Sequence, residues 1–213
     1  MKVSTSILSI KSNLSDNIKI LDKSGTDYIH LDIMDGNFVT NKTWDYSDIK
    51  DILKDISTPV DVHLMVSNLD YYIDNFSKLN PNNITFHLEA TDNINKYINL
   101  IKEKNIKVGL AIKPNTDINL IIPYLEYLDL VLVMSVEPGA GGQKFIGSSC
   151  DRIKLLKEIK ELYGYNYIIE VDGGINADTV KLVAASGVDL VVSGSYITNS
   201  DNYKERIDTL KLK

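Results

Sequence analysis

The spacing of apolar residues changes period repeatedly along this chain. Residues 28–34, Tyr-Ile-His-Leu-Asp-Ile-Met, alternate: Ile29, Leu31 and Ile33 share one face, and Tyr28, His30, Asp32 and Met34 the other. A period of two is that of a β-strand. Short β-branched runs of this kind recur at 3–9, 27–34, 59–66, 83–88, 106–112, 128–135, 166–171 and 189–193. Between them the spacing lengthens. Leu14, Ile18 and Leu21 keep to one helix face, as do Ile94, Tyr97, Ile98 and Ile101, at helical intervals. Residues 148–162 read as a helix closed by Gly164, and Asn176 as the cap of a helix that carries Val180, Val183 and Ala184 and ends near Gly187. Strand and helix thus alternate from end to end, which predicts an α/β fold with a parallel sheet covered by helices.

Eight strand-plus-helix units is the number that closes a (β/α)8 TIM barrel. No low-complexity linker or charge block interrupts the alternation, so a single barrel domain is expected over 1–213. An open doubly wound sheet is the competing arrangement, but its nucleotide signatures are missing. Gly139 and Gly141 begin a GxGxxG whose third glycine is replaced by Lys144, and no GxxxxGK[ST] occurs, so the phosphate-cradling turns of those folds are absent.

The barrel decides which way the polar face of 28–34 points. Helices cover the outside, so Ile29, Leu31 and Ile33 pack outward, and His30 and Asp32 point inward near the carboxyl end of their strand, where barrels keep their chemistry. Residues 60–66 repeat the pattern, with Asp61, His63 and Met65 opposite Val60, Val62, Leu64 and Val66; Asp172 ends the seventh strand, followed by Gly173 and Gly174. His30, Asp32, His63 and Asp172 therefore offer two imidazoles and two carboxylates to one cavity. A single inward histidine is ordinarily a hydrogen-bonded core residue, but two unpaired buried carboxylates are costly, and a cation of charge +2 would balance them. The mixed set suits one divalent ion, Zn, Fe(II), Mn or Co, among which the sequence does not choose. His87 is a rival ligand, although hydrogen bonding in the core is the preferred role for it. Met34, Met65 and Met134 each lie near a strand's carboxyl end; methionine fills core gaps, and the three together suggest an apolar lining around the reacting atoms.

Three glycine-bearing turns follow strands six, seven and eight, at 137–142, 172–176 and 193–197. Barrels frequently bind phosphate with the loops after strands seven and eight and a helix N-terminus, and the glycines of 139–142 also suit a closing lid. Composition sharpens this. With 23 basic against 29 acidic residues the net charge is −6, which argues against nonspecific nucleic-acid or anionic-membrane binding. An anionic ligand must then be held by local groups such as backbone N–H donors. Hydrophobic residues at 44% and charged residues at 24% are ordinary for a globular protein. The lone Cys150 fits a reducing compartment. No signal-peptide pattern or membrane-length apolar run is visible, so a cytoplasmic location is expected.

Chemically, one carboxylate on each side of a bound substrate can invert a carbon next to a carbonyl. Asp32 would remove its proton as base and Asp172 would return one as acid, through an enediolate stabilised by a Lewis-acid metal.

The segments SILS, HLDIMDGNFV, DVHLMV, FHLEA, KVGLAIKP, VMSVEPGAGGQKF, EVDGGIN and VSGS resemble, in order and over nearly the whole chain, the motif series of the ribulose-phosphate 3-epimerase family. That resemblance implies a metal-dependent, reversible interconversion of D-ribulose 5-phosphate and D-xylulose 5-phosphate in the pentose phosphate pathway. It implies metal ligation by His30, Asp32, His63 and Asp172, acid/base roles for Asp32 and Asp172, and substrate binding by Ser6. The expected substrate-binding set is Ser6, His63, Gly139, Ala140, Gly141, Gly142, Asp172, Gly173, Gly174, Gly194 and Ser195; a homo-oligomer is left open. The chain departs from the family's pattern in having Thr5 and Thr40 for Pro, Asn37 for His and Ala140 for Phe. Ala140 bears on lid packing and affinity. The alternatives are allulose-6-phosphate 3-epimerase, a barrel that only binds a sugar phosphate, and a metal-free decarboxylase or aldolase-like barrel. The last lacks support: DIMDGNF has no lysine for a DxKxxD array, and nothing singles out Lys113 for a Schiff base.

Overall fold

A computed structural model describes residues 1–212. Eight parallel strands close on themselves in sequence order: β1 (Lys2–Ser6), β2 (Tyr28–Met34), β3 (Val60–Met65), β4 (Asn83–His87), β5 (Lys107–Ile112), β6 (Leu130–Met134), β7 (Ile168–Asp172) and β8 (Leu190–Ser193), with β8 pairing back to β1. The helices are α1 (Leu14–Asp22), α2 (Tyr46–Leu53), α3 (Leu69–Phe76), α4 (Ile94–Glu103), α5 (Ser149–Tyr163), α6 (Thr179–Ser186), α7 (Ser195–Thr198) and α8 (Tyr203–Leu210). The expected (β/α)8 TIM barrel is the fold found.

Two expected helical features differ. Between β5 and β6 there is no α-helix; short 3-10 turns at Ile118–Leu120 and Ile122–Tyr127 take its place. Pro123 stands in the second of these, and inside an α-helix it would remove an N–H donor and clash with the carbonyl four residues earlier. The helix expected after Asn176 starts later, at Thr179. Asn176 still caps it from a turn away, its Oδ1 accepting from the N–H groups of Asp178 and Thr179 at 2.9 and 3.1 Å. The helix ends expected at Gly164 and Gly187 stand where the sequence places them, with φ of 70° and 95°, a conformation glycine adopts without a Cβ penalty.

The alternation sorts the core into two layers. Ile29, Leu31, Ile33, Val62 and Leu64 are fully buried against the surrounding helices. A second cluster, Tyr28, Ala111, Leu130, Leu132, Met134, Val136 and Leu190, fills the inside of the barrel. The rest of the interior is polar. Strand register sets His30 beside Asp61, Asp32 beside His63, and Met34 beside Met65, while Leu132 stands beside Glu170 and Met134 beside Asp172. Ser4, Asp61, Asn83, Thr85 and Glu170 are all buried there. One side of the interior is therefore apolar, and the other is a polar network beneath the carboxyl end.

Candidate metal centre and phosphate cavity

The four residues expected to meet do meet. One donor atom from each of His30, Asp32, His63 and Asp172 lies within 4.8 Å of all the others. His30 Nε2 is 3.5 Å from Asp32 Oδ1, His63 Nδ1 is 3.3 Å from the same oxygen, and His63 Nδ1 is 3.8 Å from Asp172 Oδ2. Four ligands at zinc-like bond lengths on a tetrahedron stand about 3.3 Å apart, so the spacing fits one divalent ion. A second observation agrees: His30 Nε2 is buried with no hydrogen-bond partner, although buried polar atoms are nearly always satisfied.

Each histidine is oriented from behind. His30 Nδ1 donates to Asp61 Oδ2 at 2.7 Å. Asp61 also accepts from Ser4 Oγ at 2.8 Å and Asn83 Nδ2 at 2.6 Å. Burial alone would raise the Asp61 carboxyl, but His30, with smaller contributions from Glu170 and Asn83, brings it down to about 2. The carboxylate–histidine pairing leaves Nε2 as the nitrogen facing the cluster, as in many metal sites. His63 Nε2 stands 2.9 Å from His87 Nε2, and His87 Nδ1 stands 3.2 Å from Glu89 Oε2. His87 is thus held in hydrogen bonds with His63 and Glu89, in keeping with the preferred core role over that of a rival ligand. Burial pushes His87 down to about 4.

The two carboxylates at the cluster have different surroundings. Asp32 accepts a 2.6 Å hydrogen bond from Ser6 Oγ. Its burial penalty is outweighed by the neighbouring His30 and His63, which hold the carboxyl well below the usual carboxylate range. Asp172 is pushed up to about 6, first by burial and then by the negative charge of Asp32. The end of β2 is pinned: Thr43 Oγ1 donates to the Asp32 carbonyl at 2.7 Å and accepts from Met34 N at 2.9 Å.

Above the cluster opens a cavity of about 710 Å³. Ser6, Asp32, Met34, Met65, Met134 and Asp172 border it, together with the glycine turns: Gly139, Ala140, Gly141 and Gly142; Gly173 and Gly174; Gly194 and Ser195. His30 and His63 are fully buried and are not among the lining residues. At Gly174, φ is +66° and an added Cβ would come within 2.6 Å of the Phe145 backbone nitrogen, so this turn admits no side chain. The loop after β6 is stapled by Gln143 Nε2, which donates to the carbonyls of Glu137 and Ala140 at 2.7 and 2.8 Å. Asn41 Nδ2 ties it to the loop after β2 through the Gly139 carbonyl at 2.7 Å.

Asp61, Glu170, Asn83 and Glu89 were not among the expected site residues. Asp61 and Glu170 lie two positions before His63 and Asp172 on the same strand face, and that alternation is the signal that could have found them. Glu89 follows a strand, and alternation does not reach it. Lys144 also borders the cavity, as its only lysine or arginine among the described residues.

Fold and site together define a class: a (β/α)8 barrel whose strand ends present a metal-competent histidine and aspartate cluster to a cavity bordered by glycine turns. The particular family follows from comparison with known proteins. A model of the ribulose-phosphate 3 epimerase family matches residues 2–198. The chain is 42% identical over 205 residues to ribulose-phosphate 3-epimerase from Buchnera aphidicola subsp. Baizongia pistaciae, covering 94% of this chain and 90% of that protein. It is 39% identical over 213 residues to the Bacillus subtilis enzyme of the same name, covering 99% and 98%. The chain belongs to the ribulose-phosphate 3-epimerase family. Among solved structures, 3-hexulose-6-phosphate synthase from Salmonella typhimurium superposes with a TM-score of 0.70 at 20% identity, covering 99% of this chain and 96% of the other; that likeness concerns the fold alone. Among the described residues, no helix is long and apolar enough to cross a membrane.

Proposed function

We propose that this chain interconverts D-ribulose 5-phosphate and D-xylulose 5-phosphate by moving a proton at C3, with His30, Asp32, His63 and Asp172 holding one divalent metal ion. The observation that carries the reading is the convergence of these four donors at a cavity that the Gly173–Gly174 and Gly194–Ser195 turns also line, in a member of this family. When bound, the ion supplies Lewis-acid stabilisation of the negative charge that develops on the substrate's oxygens.

The chain's own residues supply the rest. Asp32, kept ionised by its histidine and serine neighbours, takes the proton from one face, and Asp172, with the higher proton affinity, returns one from the other. The roles exchange in the reverse direction. Ser6 fixes the Asp32 carboxylate through its 2.6 Å hydrogen bond. The methionines Met34, Met65 and Met134 keep water away from the reacting carbon. The glycine turns and Lys144 receive the phosphate, which suits a protein of net charge −6, because local donors rather than a basic surface then hold the dianion. The half-buried, free Cys150 fits a reducing, cytoplasmic setting.

The test is removal and return of the metal. Protein stripped by a chelator should lose epimerisation of ribulose 5-phosphate and regain it on addition of Zn, Fe(II), Mn or Co. Full activity in verified metal-free protein would refute the reading. Assaying allulose 6-phosphate in parallel separates the hexose alternative, which shares the site but needs a longer span from carbonyl to phosphate.

A further inference from the structure

Behind His63 lie two buried or half-buried groups, His87 and Glu89, that the proposed proton transfer does not use. His63 Nε2 faces His87 Nε2 at 2.9 Å, and His87 Nδ1 faces Glu89 Oε2 at 3.2 Å. Both imidazoles are fully buried. Glu89 Oε1 is occupied separately, accepting from the Lys113 backbone N–H at 2.8 Å and from the Thr116 hydroxyl.

The hydrogens along this chain follow from what each group can do. An ionised carboxylate only accepts, and the Glu89 carboxyl is one: burial raises it, but His87, Thr116 and the Lys113 N–H bring it down to about 2. Its partner, His87 Nδ1, must therefore donate. A neutral imidazole has one donor and one acceptor nitrogen, so His87 Nε2 is bare and accepts from His63 Nε2–H. His63 Nδ1 is then bare in turn, and it points at Asp32 Oδ1 and Asp172 Oδ2, at 3.3 and 3.8 Å. A divalent ion among these three atoms would satisfy the bare His63 Nδ1 and both carboxylates, whereas the opposite polarity would set a hydrogen-free His87 Nδ1 against the Glu89 carboxylate with no cation to relieve it.

We propose that Glu89 is a positioning residue: acting through His87, it fixes the tautomer of His63 so that Nδ1 presents a lone pair to the divalent ion. This rests on the metal reading above and extends it to a residue that touches neither metal nor substrate. It parallels the support of His30 by Asp61, with one imidazole inserted between carboxylate and ligand; such outer partners fix ring orientation and raise ligand basicity.

Glu89→Gln tests the idea because it reverses the chain without emptying space. The Lys113 N–H and Thr116 hydroxyl keep the amide oxygen on their side, so the amide N–H₂ faces His87 Nδ1 and donates to it. His87 Nε2–H then donates to His63 Nε2, and the proton of His63 moves to Nδ1, where it blocks the ion. Two measurements decide. The first is Zn²⁺ affinity of the full-length wild type and Glu89→Gln, by competition with a chromogenic chelator, with thermal denaturation to check folding. The second is ¹⁵N NMR of histidine-labelled, metal-free wild type, reading which nitrogen of His87 carries hydrogen. The expected results are Zn²⁺ binding about 10- to 100-fold weaker in the variant at an intact fold, the usual cost of losing such a partner, and His87 protonated on Nδ1 in the wild type. A folded variant whose affinity stays within about twofold of wild type, well below that cost, would overturn the role of Glu89. So would a wild-type His87 carrying its hydrogen on Nε2, a measurement that stands even if the variant does not fold. A wild type that binds no Zn²⁺ would overturn the metal reading itself and this inference with it.

Discussion

Asp32 and Asp172 are the same side chain in different surroundings. Asp32 sits between two imidazoles and accepts the Ser6 hydroxyl; Asp172 ends β7 with a partly exposed side chain, 17% accessible, and is pushed up to about 6 by burial and by its neighbour's charge. Pairs of titratable groups driven apart in this way divide acid from base work. On the proposed function, replacing Asp172 by Asn removes the proton carrier of one face and a ligand together. A folded, metal-analysed Asp172→Asn protein should lose about 10²- to 10⁴-fold or more in turnover, measured by a coupled assay of xylulose 5-phosphate formation; near-wild-type turnover would refute the role. At this scale the sequence was legible wherever alternation applied. His30, Asp32 and His63 declared themselves as polar residues on the inward face of otherwise apolar strands. Glu89 did not, because it lies in a 3-10 turn at Leu88–Ala90, and its link to the site runs through the ring of His87, which no spacing rule shows.

Elements position these residues by ties between loops and helix ends as well as by the sheet. At the end of α1, Asp22 accepts from the backbone N–H groups of Ser57 and Thr58, at 2.9 and 2.7 Å, and from the Ser57 hydroxyl. It thereby fixes the turn that feeds β3, the strand of His63. Partial burial raises its carboxyl, but the donors of Thr58 and Ser57 lower it below the ordinary value of 3.8. The folded state therefore holds the proton less tightly than the unfolded chain. The resulting stability is present above the unfolded value and is lost as pH falls through the folded one. Asp22→Asn should cost about 1 kcal/mol or less at pH 7, since the site is partly solvated, and the gap from wild type should close below about pH 3.9. Urea unfolding at neutral and acid pH measures this; an equal gap at both would contradict it. The element pattern itself was readable except at the fifth crossover. There Ile118, Ile121, Ile122 and Leu125 have apolar spacing compatible with a helix, but Pro123 would fall in the interior of a helix running through all four, and two short 3-10 turns form instead. A hydrophobic period cannot outvote a missing donor.

For the whole molecule, the closed sheet brings residues distant in sequence to one point. β2 and β3 are neighbours, whereas β7 lies across the barrel from them. Eightfold closure therefore aims Asp172 at Asp32 from the opposite wall, which an open sheet would not do. The interior carries the same division downward, with a polar network under the cluster and an apolar cluster on the other side. The central claim is that this arrangement moves a proton at the carbon beside a ketose carbonyl. The most direct measurement is NMR of ribulose 5-phosphate in D₂O with metal-loaded protein. Deuterium should enter at C3 alone as xylulose 5-phosphate forms, and neither should occur when the metal is stripped. Exchange at another carbon, or conversion with no solvent deuterium at C3, would contradict the account.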